Sequence, residues 1–594
     1  MAILRTGFFA LLIVAAQLGA ACGTAQAKIT YKTTIVGVAD SDLADQLEES
    51  SQLVAQEDGR TDSEEALRRR AVADLQRLQA VVRAAGYYDA ALSFDIDTKP
   101  QRWKVTVKID LGEPYILREV KLEAAKGGAP PLADRFKPGD FGLKYGKRAI
   151  SATIADAEAK IVRFYTENGW PLARTTAHEA IIDHADHSMH VTYTLDAGQQ
   201  AKFGATDISG LKEVDRAYVE RRIAWREGRI YDSRKVDATQ QALLDSNLFA
   251  TVKISAADQV GADGSIAMKI DLAERRQRSV GAGAFYDSSQ GPGGRVFWEH
   301  RNLFGGGELL HLEATGGLSQ YGALAQFRRP DFLTRNLDLR TEIALTQENV
   351  DAYDSKRASA FTGVDRHFSR EITGGAGVEF VQAHVHDDTG SQNYSLVGLP
   401  LYVRRDDTDD LLNPTRGTRL GLTTTPFKTV DGSNLTFLNS KVTASGYQRL
   451  GKSDRFVVAA FANVGTIDGV SLHELPRDLR LYAGGGGSVR GYGYQMAGPL
   501  DAGGNPIGGI SSIETGIELR TKITQTIGIV TFFEGGNVYD RSIPDFTENL
   551  RWGAGIGGRY YSPFGPVRLD IATPINRRPA DDLIQFYISL GQAF

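Results

Sequence analysis

The sequence predicts an α+β amino-terminal half of three similar modules, followed by a sixteen-stranded antiparallel barrel that crosses a membrane. Three observations predict it. A helix–turn–strand anchor recurs at about 80 residues between positions 28 and 276. From residue 278 the chain changes to alternating segments parted by Gly, Asp, Asn and Pro, and sixteen of them can be counted. After residue 27 no apolar run reaches the length of a membrane helix. That last pattern fits an exported soluble chain, and it fits strands that carry only alternate apolar residues.

The first 27 residues form an export signal. Arg5 supplies a positive start, Gly7 to Leu18 a short apolar core, and Ala25-Gln26-Ala27 a cleavage site. Cys22, the only cysteine, lies within it, so the mature chain has no disulfide, thiol nucleophile or cysteine metal ligand. Gly19 stands where a lipidation signal at Cys22 would carry a large aliphatic residue. The formal net charge of −5 gives no basic footprint for nucleic acid.

The three modules span 28–112, 113–199 and 200–276, each in the order β-α-α-β-β. Their anchors read AAGYYDAALSF (84–94), TENGWPLARTT (166–176) and LDSNLFATVKI (244–254). In the first, Thr61 and Glu64 have the spacing of a capping box. Leu67, Ala71, Leu75, Leu78, Val82 and Ala85 make one helical face, Arg68, Arg69, Asp74 and Arg77 lie elsewhere, and Gly86 ends the helix. In the second, Ile150, Ile154, Ala157, Ile161 and Phe164 repeat the stripe before Gly169. His178, His184, His187 and His190 fall on a strand–turn–strand stretch, which reads as a solvated hairpin tip rather than a metal site.

The barrel is expected over 277–594, from a first strand at 278–287 to a last at 583–594. Ile513, Ile517 and Leu519 oppose Glu514, Glu518 and Arg520, and Val567, Leu569 and Ile571 oppose Arg568 and Asp570. A lipid-facing wall around a wet lumen alternates in this way. Ile584, Phe586, Ile588 and Leu590 alternate toward the terminal Phe594. The longest interruption, 465–509, contains YAGGGGSVRGYGYQ (482–495). It is no phosphate loop, because Tyr492 occupies the place of the required lysine.

The repeated β-α-α-β-β modules resemble POTRA domains. With the barrel they resemble the BamA/TamA superfamily of outer-membrane assembly factors over essentially the whole mature chain. Val489-Arg490-Gly491-Tyr492 resembles the superfamily's V-R-G-[FY] loop motif after strand eleven. Phe532-Phe533-Glu534-Gly535-Gly536 resembles its F-x-[DE]-x-G motif on strand thirteen, with Phe532, Glu534 and Gly536 at the defining positions. NLFGGGE (302–308), LNPTRGTRL (412–420) and GPVRLDIATPIN (565–576) are further similar segments. Three modules match the TamA branch of that family.

The resemblance implies an outer-membrane barrel with periplasmic POTRA domains. It implies insertion of autotransporters and other outer-membrane proteins, an inner-membrane-anchored TamB-like partner that spans the periplasm, and contact with unfolded clients and outer-membrane lipid. No ATP, cofactor, metal or catalytic group is implied, so the protein is expected not to be an enzyme. A client strand would be templated at a weak seam between the first and last strands, marked by Gly281, Gly283, Gly591 and Phe594. The alternative is a two-partner-type polypeptide secretion pore. A passive porin needs no modules. A hydrolase needs a catalytic cluster, for which His384-Val385-His386-Asp387-Asp388 is the nearest candidate. On strand thirteen Ile527, Ile529, Thr531 and Phe533 share the lipid parity, so Glu534 is expected to face inward and pair with Arg490.

Overall fold

The computed structural model describes residues 30–57, 63–99, 102–288, 290–431, 435–451, 453–545, 547–563, 565–590 and 592–593. The export signal with Cys22, Thr61 of the expected capping box, Gly591 and Phe594 lie outside the described residues. The described chain divides into two compact units. One comprises the chain to residue 205 with 226–234 and 256–267; the other comprises 206–225, 235–255 and 268–594.

In the first unit, Tyr31–Val36 pairs parallel with Trp103–Asp110, which pairs antiparallel with Ala91–Asp97. The helix Glu64–Ala84 lays Leu67, Ala71, Leu78 and Val82 on this sheet. Its cap is Ser63, whose Oγ accepts from Ala66 N. Asp74, expected on the polar side, occupies the buried stripe. Its carboxylate accepts from Ser51 Oγ at 2.6 Å, Gln52 N at 2.8 Å and Leu53 N at 3.2 Å, so it satisfies the start of the short helix Gln52–Ala55.

The second module repeats the sheet with Ile116–Ala124, Ser188–Asp196 and Arg174–Asp183. Its expected first helix is absent among the described residues. Two 3-10 turns, Ala133–Arg135 and Pro138–Phe141, take its place, because Pro130, Pro131 and Pro138 remove donors that an α-helix needs. Successive modules are joined in the same way. Gly86 O accepts from Tyr115 N, and Gly169 O from Ala201 N, both at 2.8 Å. Gly86 is left-handed (φ +92°), and a methyl there would lie 2.8 Å from Ala149 O. The four histidines do not converge: His178 reaches Glu158 (2.9 Å) and His190 Glu119 (3.2 Å), while His184 (3.0 Å) and His187 (3.4 Å) share Asp89. Thus part of the expected solvated tip packs on Asp89 and Tyr115 at the module junction.

The third sheet has the order Lys202–Ser209, Ser265–Glu274, Phe249–Ala256. Asn247, left-handed at φ 58°, stands where the earlier anchors have glycine. In the second unit Asp215 N donates to Gly305 O (2.9 Å), and Asn302 Nδ2 to Glu213 O (2.8 Å). Arg222 binds Asp331 at 2.9 Å and stacks on Tyr218. The NLFGGGE turn is therefore a docking socket. This is why the third barrel strand, Leu309–Gly317, begins only after that turn.

The barrel closes from Arg278–Asp287 to Gln585–Leu590, each strand paired with its sequence neighbour. It has sixteen staves. The eighth is broken into Gly390–Gly398 and Leu401–Asp406, and both pieces bridge the seventh (Ile372–Asp387) and the ninth (Gly417–Thr429). Pro400, which has no N–H to give a ladder, sits in the break. Strand eleven, Phe456–Asp468, pairs with strand ten (Thr436–Arg449) out to Asp468. Strand twelve is Ser511–Lys522, so the long loop runs 469–510 rather than 465–509. The loop fills the lumen. Its Leu475, Leu479 and Leu481 pack on the inward residues Val381, Ala383, Val385, Tyr394 and Leu396.

Candidate functional site: the lumen loop and the seam

The loop enters the lumen by two left-handed glycines, Gly484 (φ +110°) and Gly485 (φ +99°), and leaves its tip by Gly491 (φ +105°). A methyl at Gly484 would lie 2.6 Å from Gly493 O, and one at Gly491 2.8 Å from Thr573 O. The glycine run thus folds the loop on itself and against the wall. The wall yields too: a methyl at Gly553 on strand fourteen (Arg551–Ser562) would overlap Arg490 O.

Between these turns Arg490 is fully buried. Its backbone N donates to Glu534 Oε2 at 2.8 Å, and its Nε lies 3.0 and 3.1 Å from the two Glu534 oxygens. Nη2 also binds Glu534 and reaches Glu518 at 2.5 Å, while Nη1 reaches Asp570 at 2.7 Å. The guanidinium carbon stands 3.5 Å from the centre of the Phe532 ring. One planar fork therefore gathers carboxylates from strands twelve, thirteen (Ile527–Tyr539) and fifteen (Gly565–Pro574).

Buried arginines from the wall complete the network. Arg520 binds Glu518 at 2.9 Å, Arg559 binds Asp570, and Arg568 lies 3.6 Å from Asp570 while donating to Gly486 O at 3.0 Å. Four guanidiniums meet three carboxylates where bulk water is excluded, so each ion depends on its partners.

The rest of the motif has matching seats. Val489 is buried against Gly536, where a methyl would lie 2.7 Å from Val489 Cγ2. Tyr492 donates to Asn576 Oδ1 at 2.7 Å. Tyr587 of strand sixteen accepts from Gly491 N (3.3 Å) and donates to Tyr492 O (3.1 Å), which ties the loop to the last strand. The expected Arg490–Glu534 pair is present within a larger set. Glu518, Asp570, Gly553 and Tyr587 had no assigned role in the sequence reading.

The seam itself is short. Strands one and sixteen share the partner pairs Tyr286↔Ile588 and Asp287↔Tyr587, whereas strand one and strand two (Gly291–His300) share ten. Ser288 N adds a bond to Phe586 O at 3.0 Å. Gly281 and Gly283 are packed from the other side: methyls there would overlap the Phe297 ring and lie 3.3 Å from Arg295 Nε. Their smallness serves strand two.

His384 and His386 face outward and bind Asn393 (2.7 Å) and Ser391 (2.9 Å). Asp387 and Asp388 reach Arg477 of the loop instead. The candidate hydrolytic cluster is therefore split.

Comparison with known proteins places these parts. Residues 302–594 match the Omp85 superfamily domain, and residues 32–111 match the POTRA domain described as TamA domain 1. The chain is similar to the outer membrane protein assembly factor BamA of Neisseria meningitidis serogroup B, with 23% identity over 602 residues, 88% of this chain and 72% of that protein. Among solved structures it is similar to Haemophilus ducreyi BamA lacking POTRA domains 1–3. The TM-score is 0.64 and the identity 17%, covering 80% of this chain and 100% of the other. CdiB from Acinetobacter baumannii matches at TM-score 0.49 and 13% identity, over 94% and 100% of the two chains.

Proposed function

We propose, for a chain of the Omp85 superfamily that opens with a TamA-type POTRA domain, that it inserts autotransporters and other outer-membrane proteins in the manner of the TamA branch. The protein is an outer-membrane barrel with its POTRA domains in the periplasm. The observation that carries the reading is the seam. Two partner pairs between Arg278–Asp287 and Gln585–Leu590 leave most of strand one's edge without a partner on that side among the described residues. Unpaired backbone groups cost several kcal/mol each in hydrocarbon, so such an edge is a template for an incoming strand.

Insertion by strand exchange breaks no covalent bond. It needs no ATP, cofactor or catalytic group, and the protein acts as a template rather than an enzyme. The free energy comes from the client's own ladder and lipid-facing surface. The POTRA modules receive unfolded clients and meet an inner-membrane-anchored TamB-like partner. A lumen filled by residues 469–510 and fixed by buried ions favours insertion at the wall over export through a two-partner-type pore.

Cysteines at Tyr286 and Ile588, directly opposed at the seam, test the reading. Oxidation should stop assembly of an autotransporter client, and reduction should restore it. Normal assembly by a fully crosslinked sample would reject a seam mechanism.

A further inference from the structure

The outer face of strands four (Gln320–Arg329), five (Leu337–Val350), six (Tyr353–His367), seven and eight carries a groove of about 660 Å³ that the seam mechanism does not use. Its orientation follows from the opposite face, where Ala383, Val385 and Tyr394 are buried under the lumen loop. Facing out, Tyr321, Gln347, Lys356, His384 and Asn393 are direct cross-strand partners in one continuous row. The next outward row holds Ala323, Leu345, Ala358 and Gln382, and the one after it Ile343, Ala360 and Phe380. Polar side chains thus give way within two rows to an apolar lipid-facing surface. Alanines at 323 and 358 hollow a lane between Tyr321 and Leu345.

The head of this lane has a defined chemistry. Lys356 is exposed, and neither it nor Gln347 has a side-chain partner among the described residues. His384 donates from Nδ1 to Asn393 Oδ1 at 2.7 Å, which turns the ring's other nitrogen outward. A cation beside amide donors suits an anionic phosphate, and the alanine lane below suits a hydrocarbon chain. Tyr321 is the kind of residue found at a membrane–water boundary. Charge above and hollow apolar surface below complement one amphiphile.

We infer that this groove binds a membrane lipid with an anionic phosphate head group, its head on Lys356 and one chain along Ala323 and Ala358. Binding there would order lipid against a stretch of wall that contains neither seam strand, so it is separable from client insertion. The test is native mass spectrometry of the full-length protein in mild detergent, with phosphatidylglycerol or phosphatidylcholine of identical chains. Wild type should retain phosphatidylglycerol preferentially. Lys356→Ala should weaken that retention about fivefold, in line with one lost cation at a membrane surface, and Lys356→Arg should keep it. Ala358→Trp, which fills the lane, should reduce retention of both lipids. Equal retention of the two lipids by wild type, or unchanged phosphatidylglycerol retention in Lys356→Ala and Ala358→Trp, would overturn the site.

Discussion

Arg490 and Glu534 are joined through both backbone and side chain: the arginine's N reaches one carboxylate oxygen at 2.8 Å while its Nε lies 3.0 and 3.1 Å from the pair. The same guanidinium also holds Glu518 and Asp570. The partners are therefore unequal. Arg490→Ala leaves the buried Glu534 without a cation and takes one cation each from Glu518 and Asp570, which keep Arg520, Arg559 and Arg568, and its loss should cost about 3–5 kcal/mol of loop anchoring. Glu534→Ala leaves the arginine two anions and should cost less. Arg490→Lys should rescue little, because one ammonium cannot span three carboxylates. Denaturant titration of the refolded barrel, combined with heat-shifted gel mobility, gives the ranking. The double mutant should be little worse than Arg490→Ala, and strictly additive losses would contradict the network.

Gly553 gives a test that changes no charge. A side chain there must displace the Arg490 carbonyl. Gly553→Val should loosen the loop while the barrel still closes, which planar-bilayer recording would detect as higher and noisier conductance. A quiet, wild-type conductance would show that the wall glycine does not govern the loop.

The third module's socket rests on Arg222 and Asp331, both largely buried and 2.9 Å apart. Removing either charge leaves the other unpaired. Arg222→Ala or Asp331→Ala should expose 212–225 to limited proteolysis, and both together should do so less than the sum of the singles. Cleavage identical to wild type in both single variants would mean that the Asp215–Gly305 backbone bond and the Asn302 side-chain bond to Glu213 O hold the socket alone.

Acid should weaken the turn beside that socket. Burial pushes the Glu274 carboxyl up, but hydrogen bonds from the backbone amides of Lys212, Val214 and Glu213 outweigh it and hold the group below its ordinary range. A depressed folded value means stability that is present above the unfolded value of about 4.3 and is lost as pH falls through the folded one. Amide exchange at 212–214 should accelerate across that acidic window relative to intrinsic rates. Glu274→Gln should remove this pH dependence, and an unchanged profile in that variant would assign it elsewhere.

Much of the architecture was legible because strand parity is local. Ile529 and Phe533 against Glu534 needed only alternate positions to set the facing. Glu518 and Asp570 were also readable as inward, yet their convergence on Arg490 depends on barrel closure and a loop returning from strand eleven. Gly553 gave no signal, being one glycine among 64. Asp74 misled because a charge at a stripe position normally faces water; here it satisfies amides of a helix that periodicity does not reveal. The loop boundary moved because strand ten supplied ladder partners as far as Asp468.

The broken eighth strand has a mechanical consequence. Counting around sixteen staves, the interruption at Leu399 and Pro400 lies half a circumference from the junction of strands one and sixteen. A clasp of two residue pairs on one side thus faces, on the other, a stave that keeps its register but lacks one ladder donor. A fully hydrogen-bonded cylinder must share the strain among all its staves when its clasp parts. One that lacks a donor opposite the clasp can yield there first, at Pro400. The wall opposite the opening then works as the spine on which it turns.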